Sequence, residues 1–553
     1  MNKKKILTAL AVLTGFGCLQ AQEYINISGP EHSFTIPLEE IDSITIGETT
    51  RSLSTQLAND PRASIYSAAL VATGLDNVLN DSIYDFSYDA NTLNYFYYYN
   101  TIEREVATAP DSKKQSYTLF VTPDEVLNKY GIHSLEDLYH KACALYDPLY
   151  PEDQNQPWHA FEQLTDERNP LNRYMRYTIL NCDVRDLNRL TGLILNQGVV
   201  KTLGIKTDLV NPTDWYQTLL PHTLMKCEQL TVENYVGKGT LGEYYINRRY
   251  DKAVQVEGTA ISRTLPETTA EAPNGRYFYV DDLVAYTTEV RDVVQNTRIR
   301  MDFSTVFPEL VSQGIRLNGD PTQSENSNSF NNLDLTFPYG RNFYFPKGYL
   351  DGLTLNEVDQ TLVYKRPQWS FWNYQGDEFN LFGKYDFEFR LPPVPFSGEW
   401  QIRLGLCALL TRGKAKISLN GEEQADTIDF TLQLNDKSIL GVNERNFPIM
   451  NTYSYFELSE EGKAAEQAAL KAKGYYRAPF SSYYTDGVQR HEMIDNPMLY
   501  RRVIYQGVIE AGRENILRIR NINNSLNAEF QLDYIELVPK TVYDSAEEPE
   551  DNL

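Results

Sequence analysis

Two aromatic clusters carry the side chains whose chemistry is most readily inferred. Trp369 and Trp372 lie three residues apart with Tyr374 and polar amides beside them, and Tyr475 and Tyr476 form a second cluster. Flat aromatic rings can stack on the face of a sugar while amides hydrogen-bond its hydroxyl groups. The clusters therefore predict a glycan-binding surface. The alternative, which is the commoner role of such residues, is that the rings pack inside the fold or between domains.

Motifs of the common catalytic sites are missing from the sequence, which has no G-x-S-x-G, H-E-x-x-H, P-loop or G-x-G-x-x-G segment. Its histidines are scattered, and neither they nor the cysteines show metal-ligand spacing. Asp386 and Glu388 lie two residues apart, which places both carboxylates on one face of a strand, but such pairs usually belong to a solvated surface. We predict a non-catalytic protein with no metal site and no cofactor.

The segment from Pro148 to Pro170 is predicted to be a solvated surface loop. It contains Trp158 and many acidic residues between prolines, a composition typical of loops. A calcium or sugar site in this loop is an alternative. The acidic residues, however, lack the D-x-D-x-D-G pattern of calcium-binding loops.

Length and charge limit the classes of protein that are possible. A chain of 553 residues can form two or three domains, each with its own core. The net charge of −24 repels nucleic acid and anionic lipid headgroups, so nucleic-acid binding is excluded. The high aromatic content favours a protein rich in β-sheet. Three cysteines of the first domain, Cys143, Cys182 and Cys227, could form one disulfide, although buried free thiols are the favoured interpretation.

The N-terminus predicts export. A run of lysines at residues 3–5 precedes an apolar stretch from Ile6 to Phe16, which is too short for a permanent membrane helix and is typical of a signal peptide covering residues 1–21. Two processing routes stay open, which are cleavage after Ala21 and lipidation of Cys18. The first would give a periplasmic or secreted protein, and the second a lipoprotein of the outer membrane or cell surface. Residues 22–56 read as a short β segment and a linker.

The element predicted to organise the first domain is a strand that leads directly into a helix. Residues 117–121 are β-branched or aromatic at nearly every position, and Thr122-Pro123-Asp124-Glu125 is a helix start with Thr122 as N-cap. Gly131 ends that helix, and Ser134 caps a second one. The strand and turn resemble the first signature of the fasciclin-like adhesion domain, usually written T-L-F-A-P-T-D-E-A-F.

Other segments resemble further parts of that family in the expected order. They are residues 64–79, 173–180, 218–220, 244–247 and 274–284. The sequence departs from the family at Thr178, where the family usually has the His of a Tyr-His pair, and at Tyr279, where the closing signature usually has His. Since those positions are associated with packing and with integrin binding in animal members, the resemblance does not imply an animal-type receptor role. It implies a fasciclin-like α/β domain over residues 57–290.

The C-terminal half is predicted to be an all-β sandwich over residues 291–541, followed by an acidic tail at 542–553. Strand patterns occur at 298–303, 384–392, 398–406, 415–421, 428–432, 515–520 and 530–539, and one helix interrupts them at 459–473, closed by Gly474. The order of these strands, and above all the ending L-D-Y-I-E-L-V-P, resembles galactose-binding-like jelly rolls, the architecture of many carbohydrate-binding modules. The predicted fold class is therefore α+β.

Together these features predict an exported, non-catalytic binding or adhesion protein. The resemblance implies an accessory lipoprotein of a nutrient (glycan) uptake system in the cell envelope. Its partners would be envelope proteins such as a TonB-dependent transporter and its surface lid, with membrane contact only through a lipid anchor. Two alternatives remain: a hydrolase with its site in the C-terminal sandwich, and a structural docking subunit that binds no glycan.

Overall fold

The structure is a computed structural model. It describes residues 24–28, 33–37, 52–80, 83–85, 107–110, 112–184, 213–233, 239–251, 254–262, 272–315, 343–357, 360–365, 373–374, 378–441, 454–479, 482–485, 490–492, 494–523 and 528–545. Residues 1–50 and 51–553 form two separate compact units. In the first unit, strands β1 (Tyr24–Ser28) and β2 (Ser33–Pro37) pair antiparallel, which confirms the predicted β segment. Cys18 lies outside the described residues.

The N-terminal half of the second unit, residues 51–290, combines helices with small sheets. Its helices are Leu53–Ala58, Ser64–Ala72, Leu75–Val78, Asp124–Lys129, Leu135–Tyr146 and Pro170–Tyr177, and single 3-10 turns lie at Pro151–Asp153, Pro157–His159 and Phe161–Gln163. Its strands are β3 (Ile83–Asp85), β4 (Ala107–Thr108), β5 (Ser112–Lys114), β6 (Tyr117–Val121), β7 (Ile179–Leu180), β8 (Thr213–Gln217), β9 (Leu224–Glu233), β10 (Gly239–Ile246), β11 (Arg249–Tyr250), β12 (Gln255–Val256), β13 (Thr259–Ala260) and β14 (Gly275–Tyr279).

The predicted central strand is confirmed as β6, and every one of its residues is buried. It lies between β14, which runs parallel to it, and β7, which runs antiparallel. The start of β14 requires glycine because Gly275 has a φ of +128°, and a Cβ there would lie 1.9 Å from the carbonyl oxygen of Tyr117. The two segments that carry most of the family resemblance are therefore neighbours in one sheet.

The helix after β6 begins one residue later than predicted, because Pro123 rather than Thr122 is the N-cap residue. The side chain of Asp124 accepts hydrogen bonds from the backbone amides of Ser64 and Ile65, both at 3.1 Å. Asp124 therefore caps a different helix, Ser64–Ala72. The cap of the following helix is confirmed, since the Ser134 hydroxyl accepts from the amide of Asp137.

The C-terminal half contains most of the long strands. They are β15 (Ile299–Asp302), β16 (Phe343–Phe345), β17 (Leu353–Leu355), β18 (Thr361–Lys365), β19 (Asn373–Tyr374), β20 (Glu378–Phe382), β21 (Asp386–Arg390), β22 (Gly398–Cys407), β23 (Lys414–Leu419), β24 (Glu422–Asp429), β25 (Tyr475–Arg477), β26 (Ser482–Thr485), β27 (Arg490–Glu492), β28 (Leu499–Ile509), β29 (Ile516–Asn521), β30 (Glu529–Leu532) and β31 (Tyr534–Pro539). Its helices are Phe303–Val306, Pro308–Ser312, Glu460–Lys471 and Lys540–Tyr543, with a π turn at Val290–Val294 just before it and 3-10 turns at Leu410–Arg412 and Tyr455–Glu457.

Three five-stranded sheets share the core of this half. Their strand orders are β15-β31-β22-β28-β25, β17-β21-β29-β23-β24 and β30-β20-β18-β16-β4. The strand predicted at 428–432 is observed earlier, at β24. Most of this edge strand is exposed. Its residues from Glu422 to Asp426 are nearly all polar, so they lack the alternation of apolar and polar residues from which a strand is predicted. The chain as a whole mixes helices and sheets, which confirms the α+β class in general.

Two hydrophobic cores divide the unit near the predicted boundary at residue 290. The first contains buried residues from Leu53 to Val290, and the second contains those from Ile299 onward together with Ala109, Trp215 and Leu224 of the first half. Strand β8 is shared between them, because Trp215 packs in the second core and Tyr216 in the first. Strand β4 also crosses the boundary, since it pairs with β16 at the edge of a C-terminal sheet. The two halves therefore contribute to each other's packing.

The four cysteines in the described part of the chain, Cys143, Cys182, Cys227 and Cys407, are free thiols. Burial raises the pKa of the Cys182, Cys227 and Cys407 thiols, which agrees with the interpretation of the buried cysteines as structural residues.

Among the described residues, no helix is long and apolar enough to cross a membrane.

Candidate functional site

The tyrosines predicted to bind glycan are buried. Tyr374, Tyr475 and Tyr476 are each no more than 7% exposed. The backbone amide of Tyr374 donates to Asp533 Oδ2 at 2.9 Å, and its ring lies 4.6 Å from that of Tyr534. Trp369 and Trp372, the other members of the predicted surface, lie outside the described residues.

Two of these tyrosines flank a buried ionic cluster, which we call the arginine network. It consists of Glu536 and the guanidinium groups of four arginines on the same face of the sheet around β31: Arg298, Arg300, Arg403 and Arg501. Arg300 Nε lies 2.7 Å from Glu536 Oε1, and the carboxylate is fully buried.

The rings of the flanking tyrosines shield the arginines of this network. The guanidinium of Arg403 lies 3.7 Å from the centre of the Tyr476 ring, and that of Arg300 lies 5.6 Å from the Tyr374 ring. Tyr475 faces the opposite way and packs in the second core against Tyr500. Because their faces are already covered by protein, the burial of these three rings counts against a glycan role for them. The sequence could not show this, since the covering residues are distant along the chain.

A polar cavity lies instead where the two halves meet, and we call it the junction cleft. Its volume is about 280 Å³. The first half contributes Lys113, Gln115, Asn181 and Gln217, and the second contributes Val306, Phe307, Pro308, Glu309, Ser312, Asp351 and Arg390. The walls therefore come from β5, the ends of β7, β8 and β21, and the helix Pro308–Ser312.

Direct hydrogen bonds between the halves hold the walls of the junction cleft together. The side-chain amide of Gln217 donates to the carbonyl oxygen of Val306 at 2.9 Å. The backbone amide of Asp183 donates to the Ser312 hydroxyl at 3.2 Å, and Arg276 holds the Asp183 carboxylate at 2.7 Å. The walls of the cleft are therefore held by contacts within the chain itself.

Glu309 is the residue of the cleft with a buried side-chain oxygen that could accept a further hydrogen bond. The residue is 9% exposed, and its Oε1 accepts a hydrogen bond from the backbone amide of Asp351 at 2.7 Å. Oε2 is buried and has no hydrogen-bond partner among the described residues. Burial raises the pKa of the Glu309 carboxyl, although the amide of Asp351 and the charge of Lys113 act in the opposite direction. A carboxyl group with a raised pKa can donate as well as accept a hydrogen bond.

Lys113 places an amine in the same cleft. Its ammonium group donates to the carbonyl oxygen of Tyr349 at 2.8 Å, which ties β5 to the second half. Burial lowers the pKa of Lys113, while the charges of Glu309 and Asp351 act in the opposite direction. Perturbed titratable groups of opposite charge in one cavity are typical of functional sites.

Amide and guanidinium groups complete the polar walls. Gln115 Nε2 donates to Asn181 Oδ1 at 2.9 Å, and Arg390 lies 2.9 Å from Glu514 and 3.7 Å from Asp351. The cleft thus presents acceptors and donors on several sides of a space suited to a small polar molecule. Sequence analysis missed it because its residues come from distant segments that no local motif links.

Comparison with known proteins does not assign a function to the chain. No protein-family model matches the chain, and no curated protein sequence is significantly similar to it.

Proposed function

We propose that this chain is a binding protein that holds a small polyhydroxylated ligand, such as a monosaccharide unit, in the junction cleft. The observation that carries the proposal is the buried Oε2 of Glu309, a residue that lines the polar cavity, because this oxygen lacks a partner among the described residues. An unmade hydrogen bond to a buried group costs about 1–3 kcal/mol, and a ligand hydroxyl would recover it.

The chemistry of the cleft favours a sugar-like ligand over an apolar one. Amides from Gln115 and Gln217, the carboxyl of Glu309 and the amine of Lys113 offer both donors and acceptors, as sugar hydroxyls require. The volume of about 280 Å³ is close to the lower end of the roughly 300–1,000 Å³ range of small-molecule sites. A single sugar unit or the end of a short glycan is therefore the size of ligand that we propose.

The proposed setting is the cell envelope. The signal-like N-terminus supports export, and the resemblance of residues 57–290 to fasciclin-like domains and of residues 291–541 to jelly rolls supports an adhesion or capture role. On this proposal the chain is an accessory protein of a glycan uptake system, attached through Cys18 if it is lipidated. It presents its ligand to envelope partners such as a TonB-dependent transporter and does not transform it.

The test is binding of a panel of neutral and acidic mono- and disaccharides to the full chain, measured by ligand-observed NMR. In Glu309→Gln the side-chain carbonyl can keep the bond to the Asp351 amide, while an NH2 group that can only donate replaces Oε2. Loss of a hydrogen bond at a buried group costs about 1–3 kcal/mol, so Glu309→Gln should weaken binding of the best sugar by about tenfold. Gln115→Ala should weaken it as well. Glu461→Gln, an identical change on an exposed helix position, should leave the affinity unchanged.

The same panel separates this proposal from its alternatives. Loss of affinity in Trp369→Ala or Trp372→Ala, with Glu309→Gln behaving as the parent protein, would move the site to the predicted aromatic surface. Conversion of a sugar into products would favour the hydrolase. If no sugar binds, the structural docking role becomes the better account.

A further inference from the structure

We infer that Cys143, Asp147 and His159 form a binding site for one Zn²⁺ ion or a similar borderline divalent metal. One ligand atom from each residue, the thiol sulfur, a carboxylate oxygen and a ring nitrogen, lies within 4.8 Å of the other two. The site is in the N-terminal half and does not involve the junction cleft. His159 belongs to the segment predicted to be a solvated surface loop, and the other two residues belong to the helix before it.

Helix geometry brings two of the three ligands together. Cys143 lies in the last turn of the helix Leu135–Tyr146, and Asp147 is its C-cap residue. Because residues four apart lie on the same face of a helix, the two side chains point to the same side. The backbone amide of Asp147 donates to the carbonyl oxygen of Cys143 at 2.9 Å, so the helical spacing is kept up to the cap.

His159 reaches the helix from the 3-10 turn Pro157–His159, and its Nε2 lies 2.8 Å from Asp147 Oδ1. Bond lengths of about 2.0–2.3 Å and tetrahedral angles place zinc ligands about 3.4 Å apart. An ion would therefore replace the direct contact between His159 and Asp147 with a small outward movement of both. The thiol of Cys143 would give up its proton to solvent as the Zn–S bond forms.

The backbone around His159 is held in place more firmly than a solvated loop requires. The side-chain amide of the fully buried Asn169 donates to the carbonyl oxygens of Trp158 and Ala160, at 2.9 and 3.0 Å. The hydroxyl of Tyr139, one helical turn before Cys143, donates to the carbonyl oxygen of His159 itself. Three consecutive carbonyl groups are thus fixed, which is the kind of surrounding support that orients metal ligands.

The ligand set indicates the kind of metal. Sulfur and imidazole ligands suit zinc and neighbouring transition metals, whereas calcium and magnesium prefer oxygen ligands alone. Three protein ligands leave a fourth position of a tetrahedral ion for water or another molecule. The three side chains are partly exposed, so an ion has access from solvent. Sequence analysis did not find these three ligands, because His159 lies 12 residues after Asp147 and no local motif links them.

The test is titration of the chelator-treated full chain with Zn²⁺ and, as a spectroscopic substitute, Co²⁺. We expect one equivalent to bind and Co²⁺ to produce a thiolate charge-transfer absorption band. Cys143→Ala and His159→Gln should weaken Zn²⁺ binding by more than the roughly 10–100-fold that loss of an outer-shell partner costs. His140→Gln is the matched control, since His140 lies on the same helix with its side chain 67% exposed, and it should bind as the parent does.

A second measurement uses the unaltered protein and so does not depend on the folding of variants. Cys143 is the half-buried thiol among the described cysteines, and the others are buried. One equivalent of Zn²⁺ should therefore slow its alkylation at least tenfold. Absence of the cobalt band, or equal alkylation rates with and without Zn²⁺, would overturn the inference and leave His159 and Asp147 as a structural hydrogen bond.

Discussion

At the scale of single residues, the arginine network shows how a buried carboxylate remains ionised. Burial by itself raises the pKa of Glu536, but the charges of Arg501, Arg300, Arg298 and Arg403 outweigh it and hold the pKa well below the ordinary glutamate value of 4.5. A glutamate whose pKa is lowered by folding contributes stability above its unfolded-state pKa. That contribution is lost as the pH falls through the folded-state pKa.

We therefore predict that Glu536→Gln lowers the free energy of unfolding by about 3–5 kcal/mol at pH 7, because it leaves buried arginines without their counter-charge. The difference from the parent protein should persist down to about pH 4.5 and narrow only in stronger acid, where Glu536 itself becomes protonated. Denaturant unfolding across this pH range measures both effects.

Glu399→Gln provides the comparison for that experiment, because Glu399 pairs with Lys540 on the surface. Exposed ion pairs contribute little to stability, so no measurable change is expected. If Glu536→Gln changes the free energy of unfolding no more than Glu399→Gln does, the arginine network does not need its carboxylate for stability.

At the scale of elements, strand β22 depends on a glycine for the close approach of its neighbour β31. Gly405 lies opposite Tyr534, whose ring folds across the glycine. A Cβ at residue 405 would lie 1.8 Å from a carbon of that ring. Tyr534 is buried and packs against Tyr374, so it has no room to move away. Gly405 thus permits the layer of aromatic rings that covers the arginine network.

Gly405→Ala should destabilise the protein by about 3 kcal/mol, the upper part of the range for overpacking a core. Gly398→Ala is the matched control on the same strand, since a Cβ there meets its nearest neighbour only at 4.0 Å. Thermal melting of the two variants measures the contrast. Similar melting temperatures for both would show that Tyr534 can adopt another position.

At the scale of the whole molecule, the shared strand β8 bears on whether the halves are independent. Sequence analysis predicts that the chain separates near residues 291–300 into two pieces that each fold on their own. In the structure, Trp215 of the first half is buried in the second core, and the junction cleft is bridged by hydrogen bonds between the halves. Removal of the first half would leave a gap where the Trp215 side chain packs.

We therefore predict one cooperative thermal transition for residues 51–553 in calorimetry. Trp215→Ala should lower the stability of the whole unit by about 3–5 kcal/mol, the usual cost of truncating a buried tryptophan. Two resolved transitions, with only the second affected by Trp215→Ala, would instead support separate domains.

The sequence by itself determined the local structure. The β-branched and aromatic residues of 117–121 predict strand β6, and the alternation in 398–406 predicts β22. The Ser134 cap begins its helix as predicted, and Gly474 follows the helix Glu460–Lys471 with a φ of +73°. These features depend on residues a few positions apart, whose spacing and conformational preferences are visible in one dimension.

Only the tertiary structure decided which side chains meet. Tyr374 and Tyr476 have the composition of a sugar-binding surface, but they are buried because segments distant along the chain lie against them. Glu309 and Lys113 have no motif around them, and they face one cavity because the helix Pro308–Ser312 packs beside β5. Burial and pairing are set by contacts between distant segments, and a pattern of neighbouring residues carries no information about which segments those are.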